Sequence, residues 1–342
     1  MKFSFSSWSG GHPHLTRFFI ILTPVFFFLF SLTLGQYHIP LSHVLGILAE
    51  PVFPVKSQWT DMAANIVLSI RLPRIIAAVL IGASLASCGA VYQGLFHNPL
   101  ASPYTLGVSN GAGFGAALAI VMFNQIIFTQ IFAIIFSFIA VGLTFFFSGF
   151  SKSRSISLIL AGTVVSSFFS ALVSLMKFIA DPEEQLPAIV YWLMGSLAGN
   201  KSSSLPVMMP VFIAGMFILY LYRWRINLLC LGEEEASSFG VDVRKERLII
   251  LIVTSFLTAA AVSIAGVVGW VGLVIPHFAR LITGPDYRKL IPLCFSLGAS
   301  YMLIVDDFCR CLSSLEIPLG VVTALVGTPL FAWFIMRKKV NF

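Results

Sequence analysis

Charge is what this chain has least of. Only 10% of its 342 residues are Asp, Glu, Lys or Arg, while 58% are hydrophobic and the mean hydropathy is +0.94. A soluble domain carries about 25% charged residues. So small a fraction cannot clothe a water-facing surface, which excludes a soluble globule and points to an integral membrane protein. No G-x-x-x-x-G-K-[ST] segment occurs, so a phosphate-binding loop of that kind is excluded as well. The five cysteines (Cys88, Cys230, Cys294, Cys309, Cys311) lack metal-ligand spacing. Cys309 and Cys311 lie two apart, which on a helix turns them to different faces, and all five read as small apolar packing residues. His12 and His14 form an H-P-H that reads as a solvated tail rather than a metal site. The apolar segments hold few charges. That counts against an ion-coupled carrier, and the lack of paired carboxylates or a His/Asp set at membrane depth counts against an intramembrane hydrolase. Asp306, Asp307 and Arg310 form one cluster, placed near an interface at the end of an apolar segment.

What the chain has is apolar length. Segments at about 18–35, 74–95, 105–123, 127–149, 156–179, 205–222, 248–266, 270–283, 290–308 and 318–336 read as ten membrane spans. A piece near 187–198 is too short to cross and reads as re-entrant or interfacial. The first span lacks an A-x-A cleavage signal and reads as a retained anchor. The net charge of +7 and the pI near 9.3 reflect Lys and Arg in loops rather than a nucleic-acid partner. With the N-terminus placed inside, 15 of the 21 basic residues fall on the cytoplasmic side, which favours both termini there.

The stretch NPLASPYTLGVSNGAGFG (98–115) carries Gly107, Gly111, Gly113 and Gly115. A dinucleotide site would need a preceding strand and a βαβ unit, so these glycines read as close helix packing. Asn98–Pro99 and Pro103 break the chain on the cytoplasmic side. One cytoplasmic segment is dense in both signs of charge: LGEEEASSFGVDVRKERL (231–248). Glu233–Ser238 reads as a short helix stopped by Gly240. Its functional reading is a docking surface; the alternative is an ordinary solvated loop.

At these residues the sequence resembles the permease subunits of the FecCD/BtuC-type iron-siderophore and cobalamin ABC importers. The matching stretches are IRLPRIIAAVLIGASLASCGAVYQGLFHNPLASPYTLGVSNGAG (70–113), YWLMGSLAG (191–199), LGEEEASSFGV (231–241), AGVVGWVGLVIPHFARLITGPDYRKLIP (265–292) and LEIPLGVVTALVGTPLFAWFIMRK (315–338). They run in the family's order from about residue 70 to the end, as one transmembrane domain over 1–342. Residues 1–69 contribute little beyond the first span.

The resemblance implies an all-α fold with ten transmembrane helices, a type II importer permease of inverted halves, in the bacterial cytoplasmic (inner) membrane. It implies two ATPase subunits, which hold ATP and Mg, with no cofactor in this chain. It also implies a periplasmic or lipid-anchored substrate-binding protein and a second permease copy or paralogue. Residues 226–247 would be the coupling loop, with Glu235, Ala236 and Gly240 docking into the ATPase. Arg71, Arg74 and Arg310 would face outward toward acidic residues of the binding protein; their alternative is snorkelling at the interface. Asn98, Ser155 and Ser157 match the cytoplasmic gate, with Gly107, Gly111 and Gly113 packed beside it. The substrate implied is a bulky metal chelate, ferric siderophore first, with cobalamin, haem or a molybdate-type oxyanion behind it. The readings from other classes are an ion-coupled secondary carrier and a receptor or scaffold without transport.

Overall fold

The structure, a computed structural model, describes residues 13–50, 53, 59–149, 154–198, 205–313 and 315–337, and every regular element among them is helical. His12 and the basic residues Lys2, Lys56, Lys152, Lys201, Lys338 and Lys339 lie outside the described residues. The helices are α1 (Pro13–Thr33), α2 (Leu41–Ala49) and α3 (Asp61–Asn65). A π-helical stretch Ile66–Arg71 follows and leads into α4 (Leu72–Leu95). Next come α5 (Val108–Phe123), α6 (Ile126–Ser148), α7 (Arg154–Ile179), α8 (Gln185–Met194), α9 (Leu205–Leu229) and α10 (Glu233–Ser238). The last four are α11 (Val243–Ala265), α12 (Val271–Thr283), α13 (Tyr287–Cys311) and α14 (Leu319–Arg337).

Each of the ten predicted segments is a helix. Among the described residues, six helical segments are long and apolar enough to cross a membrane: Asp61–Leu95, Ile126–Ser148, Ile156–Ile179, Leu205–Leu229, Val243–Ala265 and Tyr287–Cys311. Part of α1, α5, α12 and most of α14 are shorter apolar helices, and α8 is the short piece expected near 187–198. Two boundaries differ from expectation. The second predicted span begins at Asp61 rather than near 74, so Arg71 and Arg74 sit inside a helix. The sixth runs to Leu229 rather than 222, because Arg223 and Arg225 lie over the rings of Tyr220 and Tyr222 and extend the helix instead of starting a loop. The predicted coupling loop 226–247 therefore shrinks to the residues between α9 and α11.

The long helices sort into two kinds. Asp61–Leu95, Val243–Ala265 and Tyr287–Cys311 are 89%, 78% and 72% buried over their apolar windows, whereas α6, α7 and α9 are 33%, 33% and 22% buried. So α4, α11 and α13 form the centre and α6, α7 and α9 face outward. On α7, Ile156, Leu160, Val164 and Phe168 recur every four residues and are all exposed, an apolar stripe of the kind a membrane span presents.

The helix contacts pair across two halves. With α4 to α7 set against α11 to α14, the contact of α4 with α13 corresponds to that of α11 with α6. Likewise α5 packs on α6 and α7, as α12 packs on α13 and α14, and the α12–α4 contact mirrors α5–α11. Both short helices begin after a positive-φ residue, Gly107 (φ 80) and Trp270 (φ 69). This correspondence fits an inverted repeat.

Small residues bring the helices close. A Cβ on Gly82 would strike the Gly298 carbonyl of α13, and one on Gly111 or Gly115 would strike the Phe136 or Phe132 carbonyl of α6. Gly111 and Gly115 are one helical turn apart, so the glycine stretch is the packing device its composition suggests.

Candidate coupling site and the opposite ion cluster

At one end of the bundle α9 leads through Cys230 into α10. Ala236 is fully buried, while Glu234, Glu235, Ser237 and Ser238 on the same short helix are exposed. One small apolar face seats α10 on α9 and α11, and its acidic face points to solvent. The Ser238 hydroxyl donates to the Glu235 carbonyl (2.7 Å) and the Gly240 N–H to the Ser237 carbonyl (2.9 Å), closing the helix. Gly240 has φ +76 with open space around it. A side chain there would meet no neighbour, so the backbone conformation is what calls for glycine. Leu231 and Phe239 are 57% and 66% exposed on either side of the helix. Two apolar side chains standing in solvent beside a seated helix are what a docking knob would present.

The base of this loop is tied down. Arg225 on α9 pairs with Glu246 in the first turn of α11. Asp242 caps α11 by accepting from the Lys245 N–H (3.1 Å). Beside it lies a cavity of about 830 Å³, lined by Gln93, His97, Trp224, Asn227, Arg280 and Tyr287 among others. Asp286 borders the cavity and caps α13, accepting from the Arg288 N–H (3.0 Å). Partial burial pushes the Asp286 carboxyl up, but the Arg288 side chain and N–H and the Asn227 amide outweigh it and hold it below its usual value. Burial raises the Cys230 thiol to about 11, which keeps it protonated.

The residues expected at the gate divide. Asn98 accepts from the Leu100 N–H (2.9 Å), an Asx turn that shapes the α4–α5 connection. His97 just before it takes φ 48 and contacts the Cys230 carbonyl (3.1 Å), so this connection sits against the coupling loop. Gly107 caps α5 near Val165 and Ser166 of α7, and Gly113 faces Leu193 of α8. Ser157 is half-buried on α7; Ser155 is in the first turn of α7, its side chain outside the described residues. The structure therefore brings His97, the neighbour of Asn98, to the α9–α10 connection and Gly107 to α7.

α13 is 25 residues long, about 37 Å at 1.5 Å per residue, and its far end holds the arginines. Their expected outward-facing exposure is corrected: Arg71, Arg74 and Arg310 are 4%, 8% and 7% exposed. Arg74 forms an ion pair with Asp306 (2.8 Å), which is fully buried, and a second with Glu316 (2.7 Å). Arg310 pairs with Asp307 and donates to the Ser31 hydroxyl (2.7 Å) and the Leu34 carbonyl (3.0 Å). Arg71 donates to the carbonyls of Leu32 (2.7 Å) and Tyr37. The π-helical stretch, closed by the Leu72 N–H bonding back to Val67, precedes this turn. The cluster ties α1, α4 and α13 together: Arg74 and Arg310 find carboxylate partners inside the chain, and Arg71 finds backbone carbonyls.

Glu316, Ser31, Asn227, Asp286 and Glu246 were not singled out as site residues from sequence. The i, i+3 and i, i+4 spacing of Asp306, Asp307 and Arg310 signals intrahelical pairing, and Pro-Asp before an apolar run at 285–286 signals an N-cap. The partners of Arg74 lie 232 and 242 residues away and leave no local signal. Among the described residues, no group of three His, Cys, Asp or Glu side chains could hold a metal ion.

The FecCD transport family model matches residues 22–337, nearly the whole chain. The chain belongs to that family. A molybdate import system permease protein of Haemophilus influenzae is 40% identical over 317 residues, covering 90% of this chain and 91% of its own. A permease of Helicobacter pylori named for iron chelatin transport is 36% identical, covering 90% and 99%. Among solved structures, an inward-facing metal-chelate type ABC transporter matches with a TM-score of 0.85 at 38% identity, covering 95% of this chain and all of that one. This FecCD-family chain is thus a multi-pass permease of the inner membrane, a transport component rather than a catalyst.

Proposed function

We propose that this chain is the membrane-spanning subunit of an ATP-driven importer for a bulky metal chelate, working by alternating access. The observation that carries the reading is α10: a short helix seated by Ala236, acidic on its outer face and flanked by exposed Leu231 and Phe239. Such a helix docked in a groove of an ATPase transmits nucleotide-driven closure as rigid-body motion. Two ATPase subunits holding ATP and Mg, a second permease copy or paralogue and a substrate-binding protein on the far side complete the assembly. Ten spans with both termini in the cytoplasm put α10 on the ATPase side. Asn98, Ser155 and Ser157, with Gly107, Gly111 and Gly113 at the entry and in the first turns of α5, make up the cytoplasmic gate in this reading.

The substrate of the first reading is a ferric siderophore, supported by the iron-chelatin relative and the metal-chelate transporter. A molybdate-type oxyanion is the second reading, supported by the 40% identical relative. Uptake of radiolabelled ferric siderophore by cells with and without this chain tests both, with excess molybdate, cobalamin or haem as competitors. Loss of iron uptake on deletion, competed only by siderophore, is the expected result. Intact iron uptake with failed molybdate uptake would move the substrate to the oxyanion. Failure to lose uptake of any of the four would overturn the transport reading.

A further inference from the structure

We propose that Asn227 is a positioning residue through which movement of the coupling helix reaches α13 and α4. The inference rests on the transport reading above. The helix α10 packs chiefly on α9 and α11, so a push on α10 enters the bundle through those two. On the last turn of α9 the Asn227 side chain uses both ends. Its Nδ2 donates to the Asp286 carboxylate (2.8 Å), and its Oδ1 accepts from the Tyr287 N–H (2.9 Å). Those two residues start α13. The Tyr287 hydroxyl then donates to the Ala90 carbonyl of α4 (2.8 Å). Arg280 of α12 reaches the same carbonyl (3.2 Å) and pairs with Gln93, whose amide donates to the Leu273 carbonyl (3.2 Å). A Cβ on Gly94 would strike the Tyr287 hydroxyl, so glycine lets α4 come this close.

One hydrogen-bonded chain therefore runs from the foot of the coupling loop to α13, α12 and α4, two of which are central helices. It lines the 830 Å³ cavity, which leaves the groups on one side of the chain room to shift. Close-packed cores move as discrete rearrangements rather than by smooth deformation, so a polar chain beside open space is where two arrangements can exist. Asn227 is not the only cap of α13. Without it, Asp286 still accepts from the Arg288 N–H (3.0 Å) and side chain (3.2 Å). Loss of Asn227 thus cuts these hydrogen bonds between α9 and α13, leaving the packing of the two helices and the cap of α13 in place.

The test uses proteoliposomes of the full transporter with its ATPase and binding protein. ATP hydrolysis and uptake are read side by side, with whichever of ferric siderophore, molybdate, cobalamin or haem the wild-type protein accumulates. In Asn227→Ala, uptake per ATP hydrolysed is expected to fall about tenfold while hydrolysis and assembly hold, the size of an ordinary coupling change. Asn227→Asp, which sets two carboxylates against each other, is expected to fall as far. The exchange Asn227→Asp with Asp286→Asn restores a donor facing an acceptor and is expected to recover uptake per ATP to within about twofold. Unchanged uptake per ATP in Asn227→Ala, or hydrolysis and uptake falling in step, would overturn the proposal. Failure of the exchange to recover would do the same. If the wild-type protein shows no ATP-driven uptake, the transport reading itself falls and this proposal with it.

Discussion

Where α1, α4 and α13 meet, Arg71, Arg74 and Arg310 are each more than nine-tenths buried and face partners in their own chain. At the other end Glu234, Glu235 and Phe239 stand in solvent on a helix that one alanine seats. Both ends drew attention for the same reason, since charge is scarce in this sequence. They differ in where the partners lie. A buried arginine in a spanning helix must be paired internally or pay several kcal/mol of desolvation, so its partners belong to the fold. On α10 the exposed Glu234 and Glu235 stand beside exposed apolar side chains, the arrangement the proposed docking to another protein would use. Charge alone therefore does not mark a docking surface; exposure and the fate of the neighbouring apolar groups decide it.

Substitutions at the two ends should separate accordingly. The largest effect is expected from Asp306→Ala, which leaves Arg74 only its partly exposed partner Glu316 and weakens the hold on Arg310. Removing one member of a buried pair costs about 3–5 kcal/mol. Thermal unfolding in detergent should show a lower midpoint and a lower yield; an unchanged midpoint would return the arginines to a role outside the fold. Next comes Gly240→Pro. Proline holds φ near −65°, opposite in sign to the +76° here, so the turn after α10 cannot form. Uptake should be lost while the protein stays in the membrane at wild-type level, and intact uptake would remove α10 from the coupling role. Glu316→Gln probes the exposed edge of the ion cluster. Its side chain is 31% exposed and Asp306 still holds Arg74, so a loss of at most about 1 kcal/mol is expected by the same unfolding measurement. The smallest effect concerns acid. Asp286 has a folded-state pKa below its unfolded one, so its contribution is present above about pH 4 and fades as pH falls below that. Asp286→Asn should flatten a shallow loss of thermal midpoint as pH falls below about 4.

Legibility in the sequence followed the range of the interactions. The helix at Glu233–Ser238 and its glycine stop could be read residue by residue, because capping and turn chemistry act within a few positions. The ten apolar segments were legible from composition, and all are helices. Their ends were less so: α9 runs past its predicted end because Arg223 and Arg225 pack on aromatic rings one turn of thought beyond hydropathy, at 3.7 Å and 5.4 Å from the ring centres. The arginine cluster was misread because its pairings cross the whole chain, from Arg74 to Asp306 and Glu316 and from Ser31 to Asp307 and Arg310. Asn227 was passed over for the same reason, its partners Asp286 and Tyr287 being about 60 residues on.

The central claim is that α10 is the surface on which an ATPase docks. The direct measurement is the affinity of the purified partner ATPase for this permease in detergent, wild type against Phe239→Asp. Phe239 is 66% exposed, so the substitution leaves the fold alone while placing a charge at the centre of the docking knob. Binding by Phe239→Asp is expected to be at least about tenfold weaker, with an unchanged unfolding midpoint. Equal affinity in the two proteins would contradict it.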